Sequence, residues 1–465
     1  MTIAPSSPFV FESDCSAAFI KLRQKQESIL IWPYPEDGSA ETPSFISKQH
    51  VIVLEPIKLM TTDLRCQLGI SLIKGNYAGA WLDHIQDSAN PLQIMAQLCR
   101  NLPPGSPIAW RCAPNAQSGT PHWLDFWLRF AKRLGCTVEA YSTVGALVRT
   151  PTQTTAWSLD IASEVLVKPI QELFLHVFGG ELGYEHYQWK YGSNAGGVVA
   201  LIEDKVIAHC GALMRQVFIR GVPHSVAQLV DVMVHPNYRG ILRKQGVFFE
   251  ITASAIEIFG PLAFGFPNTR HLILGQKHGF YKPVDPLIEL QWHVKKSSLR
   301  GIDRLVEIDF SNKDHCKKIN QLWLNMADDL KNNTVGIRDL NWIRYRYLQH
   351  PVYQHLFFAV TCRWTGRWKG IVIGREEKKS LLILDWIGRM KMLPAMATAA
   401  VHIAKKQNLT YCSTWVTENF ASCFERSLPI RHNPEITVPT IIWCQDGREN
   451  SLKNWWISPG DSDFR

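Results

Sequence analysis

Apolar residues alternate with polar ones in short runs and recur every three to four residues in others. The chain therefore reads as strands interleaved with helices. In residues 1–155 the strand-like runs are His50–Glu55, Gly79–Leu82, Pro107–Cys112 and the region Thr137–Val148. Pro91–Leu102 has helical spacing and ends at Pro103-Pro104-Gly105; Trp123–Leu134 is a second helix, stopped by Gly135. This alternation predicts an α/β layer, closed by the polar break Pro151–Thr155.

In residues 156–300, Ile161–Phe178 has the pattern of an amphipathic helix ending at Gly179-Gly180. Val198–Ile202, Val206–Ile219 and Ser225–Val234 follow, separated by turns at Glu203-Asp204 and Arg220-Gly221, and predict an antiparallel meander. A loop runs from His235 to Gly246, then a helix from Val247 to about Phe259, a strand Pro261–Phe266, Asn268, a short helix and Gly279-Phe280. Residues 301–465 repeat the order. Asn341–Pro351 opens the segment, followed by strands Leu356–Thr361, Gly370–Gly374 and Leu381–Ile387, a helix Met392–Lys406 and a strand Tyr411–Val416. Tyr187-Gln188-Trp189-Lys190-Tyr191 stands before the first set of strands much as the Asn341 segment stands before the second. The fold class expected is α/β (α+β), two mixed sheets with flanking helices after a small Rossmann-like layer. Its divisions are 1–155, 156–300 and 301–465.

Composition adds limits. At 465 residues, 46% hydrophobic and 20% charged, the chain has globular composition, which excludes a disordered or collagen-like protein. The net charge of +9 suits an anionic ligand, but no Lys/Arg run tracks a nucleic-acid backbone, so no nucleic-acid partner is expected. The eleven cysteines are scattered, without CxxC or zinc spacing, so no metal is expected. No basic-then-apolar signal opens the chain, and no apolar run reaches the ~20 residues that span a bilayer, so a cytoplasmic location without a membrane span is the expectation. Oligomeric state is left open.

The chemistry concentrates after Val234. A strand, a Gly- and Arg-containing loop and a helix start form an anion site, because the first N–H groups of a helix have no intrahelical partner and the helix dipole favours negative charge there. Arg239, Arg243 and Lys244 add charge at the same turn. A basic surface turn capping a helix is the plainer alternative.

Antiparallel strands, V-x-P-x-x-R-G, helix, strand, Asn, helix and Gly-Phe together resemble the GNAT superfamily of acyl-CoA-dependent N-acyltransferases over about 140 residues. The resemblance implies that Arg239, Gly240, Arg243, Lys244 and Gly246 hold the coenzyme A pyrophosphate. Val232, Met233 and Val234 would hydrogen-bond the pantetheine arm through their backbone. Asn268, eleven residues before Gly279, matches the family's N-x-x-A-x-x-L-Y-x-x-x-G-F spacing. Two departures stand out: Leu242 and Lys244 occupy loop positions where the family has glycine or alanine, and the family's tyrosine acid falls on Gly275. The nearest phenol is Tyr281, the candidate acid; Asp231 and His235 are the candidate bases. In the second copy Gly388-Arg389-Met390-Lys391 stands where the loop should be, so one acetyl-CoA or other acyl-CoA is expected, at the first copy only. The function implied is transfer of an acyl group, acetyl in the simplest case, to the amine of a small molecule such as an amino sugar or biosynthetic intermediate. No covalent enzyme intermediate is required. The alternatives are a non-catalytic acyl-CoA sensor or scaffold, and a chain with a second activity at its N-terminus.

That last alternative rests on Trp81–Gly105, which resembles the second half of a class I S-adenosylmethionine methyltransferase. The segment that should wrap the cofactor, PYPEDGSAETPSF, has no G-x-G, so a degenerate, non-catalytic module is the expectation. The C-terminus around Trp455-Trp456 resembles the end of bacterial tandem-GNAT-like proteins of surface-polysaccharide and secondary-metabolite pathways. These tryptophans are read either as a docked tail or as an aromatic wall of a pocket.

Overall fold

The computed structural model describes residues 157–192, 196–203, 205–239, 246–259, 262–294, 303–434, 437–441 and 452–463. It also describes short pieces of the first 155 residues: 28–32, 51–53, 77–83, 102–111, 134–142, 145–152 and isolated positions. Gly240, Arg243, Lys244, the segment PYPEDGSAETPSF and most of the two N-terminal helices lie outside the described residues. The chain forms two compact units, Met1–Gly211 with Asp231–Ile258, and Ala212–Val230 with Phe259–Arg465.

In the first unit, β1 (Ser28–Trp32), β2 (Val51–Val53), β3 (Tyr77–Asp83), β4 (Pro107–Arg111), β5 (Thr137–Ser142) and β6 (Gly145–Arg149) form one sheet in the order β2-β1-β3-β4-β6-β5. Strands β1 to β4 pair in parallel, while β6 runs antiparallel to both β4 and β5. A second set begins at β7 (Ser158–Ile161), which pairs antiparallel with β8 (Gly197–Ile202). The amphipathic run Ile161–Phe178 is thus strand first and helix later. Leu159 and Ile161 are buried and pair with Ala200 and Val198, so sheet pairing takes the start of the run. Helix α1 begins only at Val167 and ends at Phe178, where Gly179 at φ 71° closes it. That left-handed geometry favours glycine. Helix α2 (Tyr184–Tyr191) follows.

Strands β9 (Lys205–Ile219) and β10 (Val222–Val234) form a hairpin closed by Arg220 and Gly221, both at positive φ, as a tight two-residue turn requires. Their bases, Lys205–Gly211 and Asp231–Val234, belong to the first unit. Gly197 through Ile202 pair antiparallel with the β9 base. After β10 come a 3-10 turn, Pro236–Tyr238, and helix α3 (Val247–Phe259).

The second unit is built on one mixed sheet. Its strands are the outer halves of β9 and β10, then β11 (Ala263–Gly265), β12 (Tyr281–His293), β13 (Arg304–Glu307), β14 (Thr334–Gly336), β15 (Leu356–Thr361), β16 (Trp368–Glu377), β17 (Ser380–Gly388), β18 (Tyr411–Thr417), β19 (Ile430–His432), β20 (Thr437–Ile441) and β21 (Trp455–Trp456). The order is β13-β15-β16-β17-β18-β12-β20-β11-β10-β9-β14-β21. Strand β11 runs parallel to β10, and β18 runs parallel to β17; the meander β15-β16-β17 is antiparallel. Helices α4 (Thr269–Lys277), α5 (Lys313–Asp329), α6 (Leu340–Ile343), α7 (Leu393–Lys406) and α8 (Glu418–Ala421) complete it. The large core joins α5, α7 and the faces of β16 and β17, including Met326, Ile371, Ile383, Trp386 and Ala400. Every residue of β17 is buried, as expected for a strand covered on both faces. Among the described residues no helix is long and apolar enough to cross a membrane.

Candidate functional site

The end of β10 is shaped by a backbone irregularity. Its parallel pairing with β11 covers Ala227, Gln228 and Leu229 only, and Asp231 then adopts φ 44°. A non-glycine residue in that region is strained and needs fixing by its surroundings. Asp231 is fixed. Lys190 Nζ lies 2.8 Å from its Oδ2, with both side chains under 10% exposed. Tyr191 OH donates to the same oxygen at 2.5 Å. Burial alone would raise the Asp231 carboxyl; the Lys190 charge and the Lys190 and Tyr191 hydrogen bonds outweigh it and hold the group below the usual carboxylate range.

The same device recurs in the second unit. Tyr347 OH donates to Asp385 Oδ2 at 3.0 Å, and Asp385 on β17 stands four residues before Arg389 as Asp231 on β10 stands four before His235. Lys190-Tyr191 and Arg346-Tyr347 are the matching dipeptides. A helical tyrosine tied to a strand carboxylate therefore appears twice, but the cation differs: Lys190, beside Tyr191, pairs with Asp231, whereas Arg346, beside Tyr347, goes to the Gly460 and Ser462 carbonyls and Arg338 pairs with Asp385.

The two strand ends differ beyond that carboxylate. After β10, Arg239 is exposed and its Nε donates to Val234 O at 2.8 Å, so the guanidinium folds back over the strand end. Gly246 is buried at the entry to α3. After β17, the equivalent turn is already filled by carboxylates. Arg389 Nη1 reaches Asp328 Oδ2 at 2.9 Å and Asp329 Oδ1 at 2.5 Å, and Met390 N donates to Asp329 Oδ2 at 2.8 Å. An internal carboxylate sits where a helix-start N–H and an arginine would meet an external anion.

Among the other sequence candidates, His235 caps the 3-10 turn. Its Nδ1 accepts from Asn237 N at 3.3 Å, so in the neutral ring Nε2 carries the proton. Burial, then Lys205, His176 and Arg239, lower its pKa. A histidine that the sequence reading passed over has the opposite tautomer. His209, fully buried, has Nδ1 3.0 Å from Asp231 O. Since a carbonyl only accepts, Nδ1 donates and Nε2 keeps its lone pair, and Nε2 has no partner among the described residues. Val232 and Val234 are half-buried and Met233 is buried.

Asn268 caps α4, its Oδ1 accepting from His271 N at 2.9 Å. Gly275 is buried on that helix, and a Cβ there would lie 1.9 Å from the Tyr281 ring. Tyr281 occupies the volume that any side chain at 275 would enter, so the absent tyrosine and the present one are alternatives for one space. The Tyr281 hydroxyl is 3.0 Å from His271 Nε2, and burial pushes the His271 pKa down to about 4.

No protein-family model matches the sequence, and no curated protein matches it. Among solved structures, a probable N-acyltransferase from Enterococcus faecalis V583 is similar over 63% of this chain and 74% of its own, at 16% identity and a TM-score of 0.49. A GCN5-related N-acetyltransferase from Anabaena variabilis ATCC 29413 is similar over 61% and 72%, at 15% identity and TM-score 0.46. Saccharomyces cerevisiae N-myristoyltransferase with bound myristoyl-CoA and inhibitors is similar over 62% and 80%, at 10% identity and TM-score 0.42.

The second unit holds a buried arginine network that sequence reading did not single out. Arg338, fully buried, donates from Nε to Asp385 Oδ1 at 2.8 Å and from Nη2 to Asp461 Oδ2 at 2.5 Å. Arg346 donates from Nε to Gly460 O at 2.9 Å and from Nη2 to Ser462 O. Arg215 on β9 donates from Nε to Gln228 Oε1 at 2.7 Å, and Gln228 Nε2 donates to Asp461 O at 3.0 Å. The signal was present as single arginines inside apolar stretches, such as Arg215 in Ala212–Ile219. Trp455 and Trp456 are 1% and 0% exposed, paired through β21 with β14. The tail is therefore docked. Trp455 also packs on Phe264, with ring centroids 4.6 Å apart, and Phe264 is itself 3% exposed. Phe266 meets Phe264 edge-on at 5.9 Å. Among the described residues, no group of three His, Cys, Asp or Glu side chains could hold a metal ion.

The buried histidines predict a pH dependence. Burial lowers the pKa of His209, and those of His271 and His355 to about 4. With unfolded values near 6.5, each binds its proton more readily unfolded. Stability is complete above about pH 6.5 and falls as pH drops toward 4, by about 1.4 kcal/mol per pH unit for each proton taken up only on unfolding. Urea unfolding at pH 7.5 and 5 should show this fall. His271→Gln should flatten the slope, and an unchanged slope would mean that His271 titrates normally.

Proposed function

We propose that the chain is an acyl-CoA-dependent N-acyltransferase of the GNAT type. The observation that carries the reading is the asymmetry between the two copies: one strand-to-helix turn is basic and exposed at Arg239, and its counterpart is filled by Asp328 and Asp329. In this reading Arg239, Gly240, Arg243, Lys244 and Gly246, with the α3 start, bind the pyrophosphate of acetyl-CoA or another acyl-CoA. The backbone of Val232, Met233 and Val234 binds its pantetheine arm. The acceptor is the amine of a small molecule, an amino sugar or biosynthetic intermediate among the candidates, and it attacks the thioester directly. Asn268, which caps α4, belongs to the cofactor side of the reading, and Tyr281 serves as proton donor to the leaving thiolate.

Attack needs a neutral amine and a proton acceptor. Asp231 is poorly suited, because its carboxylate is engaged by Lys190 and Tyr191 and its partner in design, Asp385, occurs where no anion loop exists. His235 keeps a neutral, partly accessible ring near the turn. Donors to the developing oxyanion would come from backbone N–H groups at the strand end. Residues 1–155 are assigned no catalytic part.

Calorimetry with acetyl-CoA tests the reading. One molecule per chain should bind. Arg239→Ala and Arg243→Ala should each weaken binding about 10- to 150-fold, the ~1.5–3 kcal/mol of a charge-assisted contact. Arg389→Ala should leave the stoichiometry and affinity unchanged. Unaltered affinity in both loop variants, or two molecules per chain, would overturn the assignment.

A further inference from the structure

The network around Arg215 contains a donor with no acceptor among the described residues. Arg215 is 9% exposed. Its Nε is bound to Gln228, its guanidinium carbon lies 4.7 Å from the centre of the Trp342 ring, and its Nη2 is buried without a partner. Arg338, by contrast, is matched by two carboxylates. Burial is the main influence lowering the Arg215 pKa, to about 10, so the group stays cationic at neutral pH.

Arg215 lines a recess of about 20 Å3, together with Val217, Phe264, Trp342, Trp455 and Asp461. That volume admits one water-sized group. The indole Nε1 of Trp455 is a second buried donor without a partner among the described residues. Asp461, in the wall, takes Arg338 and Ser458 N at its Oδ2, and its carbonyl takes Gln228. The wall thus has donors to spare beside a residue whose Oδ2 and carbonyl are in use. A buried cation left in this state is costly unless an acceptor completes it, and an unsatisfied buried polar group in a native protein calls for a ligand or a water.

We propose that the Arg215 recess is a binding site for the carboxylate of a small organic acid. The spare donors demand an acceptor. The neighbouring Asp461 carboxylate disfavours a dianion such as phosphate. The flat aromatic walls and the planar guanidinium suit a planar head group, which arginine binds through paired N–H donors. The recess as it stands is too small for two oxygens, so entry requires the Trp342 ring to turn aside. Trp342 is half-buried, on the four-residue helix α6 at the edge of the recess. The site is independent of acyl transfer and needs no coenzyme A.

The test uses the full chain without coenzyme A. Saturation-transfer NMR and calorimetry are run with propionate, benzoate and N-acetylglycine, each paired with its neutral amide, and with inorganic phosphate. The carboxylates should bind and the amides should bind at least about tenfold more weakly. Arg215→Met keeps the volume and removes the charge; it should abolish the preference, with Tm read alongside because the buried Gln228 Oε1 loses its donor. Should that variant fail to fold, Trp342→Ala, at a half-buried position, removes the ring that must turn aside and should tighten carboxylate binding severalfold with the acid-over-amide preference kept; no gain there would overturn the proposal. Equal binding of acid and amide, tighter binding of phosphate, no binding of any carboxylate, or an unchanged preference in Arg215→Met would each overturn the proposal.

Discussion

Asp231→Asn is expected to lower the unfolding free energy by about 3–5 kcal/mol, the cost of leaving one member of a buried ion pair behind. Lys190 and Asp231 are 6% and 8% exposed, 2.8 Å apart, so the ammonium loses its carboxylate at a position with little access to solvent. Part of the loss is the Tyr191 hydrogen bond, which at 2.5 Å ends on the same oxygen. Part is the φ 44° backbone, no longer held by a charged tie. The pH dependence has a fixed sign. Because the folded pKa is depressed, the stabilisation is present at neutral pH and is lost as pH falls through the folded value; the Asn variant should lack that acid-sensitive portion. Asp385→Asn should also destabilise, since it removes a partner from Arg338 and Tyr347. Acetyl-CoA turnover per folded molecule should stay within a few fold in Asp231→Asn. The opposite result, normal stability with activity abolished, would make Asp231 the base after all. Chemical unfolding monitored by circular dichroism, with kinetics well below the transition, separates the two.

Tyr281→Phe is expected to reduce kcat by about 10²–10⁴ with little change in KM, the scale of losing a proton donor that acts in the transition state. The ring must remain, because it fills the space above Gly275, and Phe keeps it. Stability should fall only by the ~0.5–1.5 kcal/mol of one hydrogen bond, here the contact with His271. The thiolate of coenzyme A leaves readily, an ordinary thiol having a pKa of about 8.5. A Phe variant with near-normal kcat would therefore remove Tyr281 as acid and leave the acyltransferase reading intact. Gly275→Ala is the complementary change: it should displace the ring and destabilise by about 1–3 kcal/mol, as overpacking does.

Local pattern decided the elements where pattern and pairing agree. The strands Val198–Ile202 and Val206–Ile219, the turns at Glu203 and Arg220-Gly221, the helix ending at Lys406 and the strand Tyr411–Val416 all follow from alternation, turn chemistry and helical spacing; all stand within two residues of their expected ends. The helix expected from Ile161 did not, because Leu159 and Ile161 found partners in β8, and pairing between segments some forty residues apart leaves no trace in a local period.

The sequence by itself carried the strand–helix order, the Gly- and Arg-containing loop after Val234 and the lack of a P-x-x-R-G run after Gly388. Each is written in neighbouring residues, because turns, caps and periods are short-range. Tertiary structure alone decided what the isolated polar residues do. Asp231 is separated from Tyr191 by forty positions and Arg338 from Asp461 by 123, and only folding reveals that the first pair is a tie and the second an ion pair. The same is true of Trp455, read as wall or tail and found buried on Phe264, and of Arg215, an arginine inside a strand that its neighbours bury with a donor unanswered. A charge in a sequence has no dielectric; burial supplies one, and with it the energies that turn single residues into sites.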